Sequence, residues 1–163
     1  MMDVVVYAGW GIYLWSIVYA WWQGGSPERW VGTVLFFGAI ATIAVREEWS
    51  SRYFDAEHRV MVVDTLVLAA MALVALRAHR SWPVLVVSLH AMSTASHWAR
   101  LLDTAASETI YAIMATLSGY TVPLVVIGGT MAHRRRLKRD GADPSWSRFW
   151  WPPAGIPTGL PFN

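Results

Sequence analysis

One apolar segment, residues 82–102, has the length of a membrane-spanning helix but carries a regular set of polar side chains. A spanning helix needs about 20 mostly apolar residues. The polar residues recur at three- and four-residue steps, which places them on one helical face: His90, Ser93, Thr94, His97 and Arg100. Because an unsatisfied polar group in hydrocarbon costs several kcal/mol, we expect this polar stripe to face other helices or a wet cavity. Ser88 should point the other way.

The composition predicts an integral membrane protein with one domain. Of the 163 residues, 55% are hydrophobic and 15% are charged, against about 25% charged in an ordinary soluble domain. The chain contains no Cys, which excludes disulfides, thiolate metal sites and a thiol nucleophile. The net charge of only +2 argues against nucleic acid as a partner. The first residues lack the basic start of a signal peptide, so we expect the first hydrophobic segment to be retained.

Five hydrophobic segments predict an all-α bundle of five transmembrane helices, over residues 4–22, 27–46, 59–77, 82–102 and 108–133. Ser26 is a suitable helix cap, Pro27 suits the first helical position, and Glu28 favours the positive end of the second helix. Only residues 78–81 separate the third and fourth segments, so these two should form an antiparallel hairpin. Pro123 predicts a kink in the fifth segment.

The basic residues predict the orientation of the bundle. With a cytoplasmic C-terminus, nine of the 13 Lys and Arg residues lie on the cytoplasmic side: Arg29, Arg77, Arg80, Arg134, Arg135, Arg136, Lys138, Arg139 and Arg148. The outer side then holds the other four: Arg46, Arg52, Arg59 and Arg100. This asymmetry obeys the positive-inside rule and puts the N-terminus outside.

Residues 1–133 are therefore expected to form the transmembrane domain, and residues 134–163 a basic, Trp- and Pro-rich cytoplasmic tail. Basic side chains beside a membrane attract anionic headgroups, and large aromatic rings favour the interface. We expect the following residues to contact lipid headgroups or a partner subunit: Arg134, Arg135, Arg136, Lys138, Arg139, Trp150 and Trp151.

Asp64 and His97 are expected to meet at similar depth. At 1.5 Å per residue, Asp64 lies about 7–8 Å and His97 about 4–5 Å inside the outer ends of their helices. Glu57 lies on nearly the same face as Asp64, level with Arg100. These positions predict a polar ladder in which Asp64 pairs with His97 and Glu57 with Arg100. The ladder is most simply a structural link between helices, and the functional alternative is a proton, metal or small-ligand site that opens outward.

For a metal ion, Asp64 and His97 supply only two ligands, and no recognised metal motif supplies a third. The third ligand would come from His58, or else from one of the acidic residues nearby: Glu57, Glu47, Glu48 or Asp103.

His90 lies about 15 Å inside the outer end of its helix, near the bilayer midplane. An imidazole there could ligate haem or a chlorophyll-type pigment, with Thr94 beside it. The alternative is a neutral imidazole hydrogen-bonded to a hydroxyl such as Thr94 or Tyr120. Intramembrane hydrolysis by Ser93 or Ser96 is disfavoured because the sequence has no oxyanion motif.

Four stretches carry a resemblance to a known family: the turn GGSPERW, the hairpin with Asp64, the stretch HWARLLD and the closing GTMAHRRRLKRDGADPSW. Over about residues 10–146 the chain resembles a family of small bacterial polytopic inner-membrane proteins without an assigned function. The resemblance implies an inner-membrane location and carries over no catalytic residue.

The sequence favours a non-enzymatic function, as an integral subunit or accessory protein that packs within a membrane complex or a homo-oligomer. Short loops, the lack of a soluble domain and the aromatic tail support it. The alternative is a small carrier, or a cofactor-, metal- or proton-binding membrane protein, that uses the polar stripe together with Asp64.

Overall fold

A computed structural model describes residues 2–45, 58–102 and 108–146, and in these ranges the chain folds into α-helices without a β-strand. The five helices are α1 (Met2–Gln23), α2 (Ser26–Val45), α3 (His58–Arg77), α4 (Trp82–Leu102) and α5 (Glu108–Asp140). The all-α class predicted from the sequence is confirmed.

The helices pack in chain order as a closed ring. Each helix contacts the next, α5 returns to α1, and α2 also contacts α5 across the middle. A Cβ built on Gly9 would meet the ring of Tyr120, and one built on Gly25 would meet His133, so α1 and α5 run in the same direction. We call the end of the bundle that contains the α1–α2 turn, the α3–α4 turn and the end of α5 the turn end. We call the opposite end the cavity end.

Helix α5 is longer than the sequence predicts, because it continues through Pro123 and past His133 to Asp140. The helix ends where Gly141 adopts a φ of 72° and donates its N–H to the carbonyl of Leu137 at 3.1 Å. This left-handed glycine is a common helix stop. Residues 134–140, the basic start of the predicted tail, thus belong to α5.

After α5 the chain folds back onto the α3–α4 turn. Ala78 and Trp146 form an antiparallel β-bridge, and the N–H of His79 donates to the carbonyl of Ser145 at 3.2 Å. The first residues after α5 are therefore attached to the bundle. Trp150 and Trp151 lie outside the described residues.

Three of the described helical stretches are long and apolar enough to cross a membrane: Ser26–Val45, His58–Arg77 and Thr109–Asp140. Large apolar side chains cover the outside of the bundle, among them Phe37, Leu66 and Leu124. The buried core is also apolar and contains residues of all five helices: Ile17, Val31, Leu35, Met71, Val86 and Val126. An apolar exterior around an apolar core is what a lipid environment requires.

The polar stripe of α4 faces inward, as its spacing predicts. His90, Ser93, Thr94, His97 and Arg100 are all buried, whereas Ser88 is exposed and donates its hydroxyl to the carbonyl of Val84 at 3.0 Å. Apolar residues cover the outer side of α4, including Val84, Leu85 and Met92.

Gly129 permits the close packing of α5 against Trp82, and its substitution is the first test of the bundle. A Cβ on Gly129 would lie 2.6 Å from Cδ2 of Trp82, and the indole is fixed because its Nε1–H donates to Glu28 Oε1 at 3.2 Å. We expect Gly129→Ala to lower the free energy of unfolding by about 1–3 kcal/mol, the usual cost of overpacking. A Cβ on the neighbouring Gly128 meets nothing within 4 Å, so Gly128→Ala should be neutral or stabilising. Thermal unfolding in detergent compares the two variants, and equal midpoints would contradict this packing.

Candidate functional site

A cavity of about 270 Å³ lies between the helices at the cavity end and is lined by residues of all five. Small residues on α1, α2 and α5 leave this space, namely Gly9, Gly38, Ala39, Ser118 and Gly119. The polar and aromatic part of the lining consists of Trp10, Tyr13, Thr42, Asp64, His90, His97, Thr116 and Tyr120. Two of the lining residues, Trp10 and Tyr120, are also 37% and 47% exposed and therefore reach the surface of the bundle.

Three side chains from α3, α4 and α5, those of Asp64, His97 and Tyr111, contact one another in a row beside this cavity. His97 Nε2 lies 3.3 Å from Asp64 Oδ2, and His97 Nδ1 lies 2.8 Å from the hydroxyl of Tyr111. The His97 side chain is 4% exposed and that of Asp64 is 15% exposed. The structure thus brings Asp64 and His97 together and adds Tyr111 on the far side of the imidazole.

His97 presents one ring nitrogen to the carboxylate of Asp64 and the other to the hydroxyl of Tyr111. An imidazole donates or accepts at either nitrogen according to its tautomer and charge. Asp64 lines the cavity and its side chain is 15% exposed, so a ligand in the cavity can contact the carboxyl group.

His90 has a different partner from the one expected. Its Nε2 lies 3.2 Å from the backbone carbonyl of Asp64, while the hydroxyl of Thr94 donates to the carbonyl of His90 at 3.0 Å. The hydroxyl of Thr94 therefore does not bond to the imidazole, because the helix provides a nearer carbonyl acceptor one turn back. His90 crosslinks α4 to the main chain of α3 and contributes to the cavity wall.

The structure does not assemble a metal centre from the described residues. No three His, Asp or Glu side chains in this part of the chain are placed to hold a metal ion. His58 is exposed at the first residue of α3 and does not line the cavity. The other suggested ligands, Glu47, Glu48, Glu57 and Asp103, lie outside the described residues.

Arg100 is buried on the inner face of α4 and lies over the ring of Tyr111, with its guanidinium carbon 5.9 Å from the ring centroid. Its proposed ladder partner, Glu57, is outside the described residues. The contact with Tyr111 places Arg100 next to the row of Asp64, His97 and Tyr111 without making it part of the cavity lining.

A second buried polar cluster, which we call the turn-end network, lies at the opposite end of the bundle. Glu28 is fully buried and accepts hydrogen bonds from Arg80 and from the indole of Trp82. Arg80 Nη2 also lies 2.9 Å from Asp143 Oδ2. Asp143 in turn contacts His133 Nδ1 at 2.6 Å and Arg136 Nε at 3.0 Å.

The turn-end network joins α2, the α3–α4 turn, α5 and the chain after α5. Burial alone would raise the pKa of the Asp143 carboxyl, but hydrogen bonds from Arg136 and His133 and the charge of Arg80 hold that pKa below its usual range. Stability from Asp143 is therefore complete above the carboxyl's unfolded pKa and is lost as the pH falls through the lowered folded value.

Sequence reasoning missed the turn-end network. In the sequence, Glu28 was interpreted as an acidic residue at the positive end of a helix. Arg80 and Arg136 were interpreted through the positive-inside rule. The available signal was the Gly24–Gly25 pair: a Cβ on Gly25 would lie 3.2 Å from Arg80 Nη2 and from Glu28 Oε2. Such glycines mark a close approach of other groups to the backbone.

No family model, curated protein or solved structure matches this chain. The function is therefore inferred from the geometry of the bundle alone.

Proposed function

We propose that all five helices cross the membrane of a bacterial cell, with the N-terminus outside and the C-terminus in the cytoplasm. Helices α1 and α4 have 22 and 21 residues, which is long enough to span, and both pack between stretches that are apolar enough to do so. The polar side chains that lower the hydropathy of α4 point into the bundle. The resemblance noted from the sequence supports the inner membrane.

The charge of the two ends supports this orientation. The described residues of the turn end include Arg29, Arg77, Arg80 and the basic run of α5, whereas Arg59 and Arg100 lie toward the cavity end. The positive-inside rule then puts the turn end in the cytoplasm and the cavity end outside.

Within this architecture we propose that the protein binds a small ligand in the cavity, as a carrier or a ligand-binding membrane protein. One observation supports this most: the carboxylate of Asp64, held by His97, lines a cavity that residues of all five helices enclose. If the contact between Asp64 and His97 were purely structural, we would expect neighbouring side chains to fill the space around it. Instead, the carboxyl group of Asp64 borders a cavity of about 270 Å³.

The size of the cavity limits the ligand. Sites for drug-sized molecules measure about 300–1,000 Å³, so this cavity suits a smaller molecule with a few heavy atoms. Its mixed lining, apolar and aromatic with a few convergent polar groups, is typical of ligand sites.

A second candidate function is that of an accessory subunit, and the surface of α1 favours it. Tyr7, Trp15 and Trp22 are 76%, 56% and 73% exposed on this helix. Exposed aromatic rings of this kind suit the membrane interface or a helix of a neighbouring subunit. This role is compatible with a ligand in the cavity.

The ligand proposal is tested by filling the cavity. Ala39 lines it, whereas Ala44, five residues later on α2, is exposed and does not. We expect native mass spectrometry of protein released from its own membranes to show a bound small molecule in the wild type and in Ala44→Phe. Ala39→Phe should lose that molecule because its ring occupies the space. An identical spectrum for all three proteins, without an adduct or with the same adduct, would contradict ligand binding in this cavity.

A further inference from the structure

We propose that the ligand of the cavity is a small organic cation, such as an alkylammonium or quaternary ammonium ion. This inference rests on the proposed ligand-binding function and specifies its chemical class. It follows from the charge of the cavity wall, from the aromatic rings that complete the wall, and from the shape of the space.

The charged groups of the wall favour a cation. Asp64 is the acidic residue among the described residues of the lining, which contain neither Lys nor Arg. Of the two imidazoles in the lining, His90 donates to a backbone carbonyl, and His97 is shared between Asp64 and the hydroxyl of Tyr111. Carboxylates inside a membrane bundle are stabilised by cationic partners, so a ligand that contacts Asp64 is favoured if it carries a positive charge.

Aromatic rings line the same space. Trp10 and Tyr13 contact each other edge to face with their ring centroids 5.8 Å apart. The Tyr13 hydroxyl is already engaged, because it donates to the carbonyl of Leu35 at 2.8 Å, so Tyr13 offers the cavity its ring. Tyr120 lines the cavity opposite Gly9, where a Cβ would lie 2.6 Å from the Tyr120 ring. Aromatic faces attract ammonium groups, and cages of such rings recognise quaternary ammonium ions.

Other ligand classes fit less well. A metal ion would need a third ligand that the described residues do not place there. An anion would meet the charge of Asp64 without a cationic side chain in the described lining. A neutral apolar molecule would place hydrocarbon against the carboxyl group of Asp64, which lines the cavity, and this is costly.

Choline and 3,3-dimethylbutan-1-ol test this inference, because the two molecules have nearly the same shape and differ in the charge of one central atom. Binding to the full chain in detergent is measured by ligand-observed NMR at constant ionic strength. We expect the wild type to bind choline about tenfold or more tightly than the alcohol, since one cation–π contact with a carboxylate nearby is worth that much. Asp64→Asn should bring the two affinities close together.

Tyr120→Leu provides a second variant that leaves the contact between Asp64 and His97 intact, since Tyr120 is a different lining residue and is 47% exposed. It should weaken the binding of choline and leave that of the alcohol nearly unchanged. Ala39→Phe should lose both ligands, and Ala44→Phe should keep both.

The outcomes separate the two proposals. If the alcohol binds as tightly as choline and Ala39→Phe removes both, the cavity takes neutral ligands: the inference is wrong and the proposed function stands. If choline is preferred equally in the wild type, Asp64→Asn and Tyr120→Leu, the cation binds elsewhere and the inference is wrong. If neither molecule binds, the inference is wrong, and the mass-spectrometric comparison of Ala39→Phe with Ala44→Phe decides the proposed function independently.

Discussion

Replacement of Arg80 by methionine is expected to lower the free energy of unfolding by about 3–5 kcal/mol, the usual cost of removing one partner from a buried ion pair. The Arg80 side chain is 3% exposed and that of Glu28 is fully buried. Without Arg80, Glu28 would lose its cationic partner and retain the hydrogen bond from Trp82, and Asp143 would also lose a cationic partner. Chemical or thermal unfolding of the purified protein measures the loss.

Arg77→Met is the matched control for this prediction. Arg77 ends α3 three residues earlier and is exposed, so the same substitution there removes a positive charge from the same end of the bundle without breaking a buried pair. We expect a change within about 0.5 kcal/mol. If Arg77→Met and Arg80→Met destabilise the protein equally, the turn-end network does not stabilise the fold and Arg80 acts as a topology signal alone.

Asp64→Asn and His97→Gln should each lower the free energy of unfolding by about 1.5–3 kcal/mol, because each disrupts a close polar contact that is largely shielded from solvent. The double variant should lose less than the sum of the two single losses, with a coupling of about 0.5 kcal/mol or more. His97→Gln should be the more costly single change, since His97 also contacts Tyr111. Strictly additive losses would show that the 3.3 Å contact between Asp64 and His97 contributes nothing.

The inward face of α4 was predictable because the spacing of its polar residues has a direct physical meaning. A helix places residues three and four positions apart on one side. A side that carries several polar groups is costly to expose to lipid. The same reasoning brought Asp64 close to His97, since a short turn joins their helices and both lie at a similar depth.

The partners of these residues were harder to predict. His90 contacts a backbone carbonyl. Because every residue of a chain has such a carbonyl, the sequence does not distinguish this acceptor from the others. Tyr111 is a single hydroxyl on a mostly apolar helix, and its contact with His97 depends on the rotation of α5, which the sequence does not specify.

The turn-end network was missed for a similar reason. An arginine at the end of a span has the same sequence context whether it faces water or a buried glutamate. The sequence therefore explained Arg80 by the positive-inside rule and Glu28 by the helix dipole, and neither explanation required a partner. The sequence predicts that the fifth segment ends near His133, where its apolar residues end. The backbone continues as a helix until Gly141.

The most direct test of the central claim uses the absence of native Cys. Thr42→Cys places one thiol in the cavity lining, and its rate of modification is compared for a trimethylammonium methanethiosulfonate and a sulfonate analogue. Each rate constant is divided by the rate constant of the same reagent with a free thiol in solution, which removes the difference in intrinsic reactivity between the two reagents. At cavity distances the charge of Asp64 is worth on the order of tenfold in rate. We therefore expect about a tenfold preference for the cationic reagent that disappears in Thr42→Cys/Asp64→Asn. A preference that is the same with and without the Asp64 carboxylate, or a thiol that neither reagent reaches, would contradict an accessible cation site at Asp64.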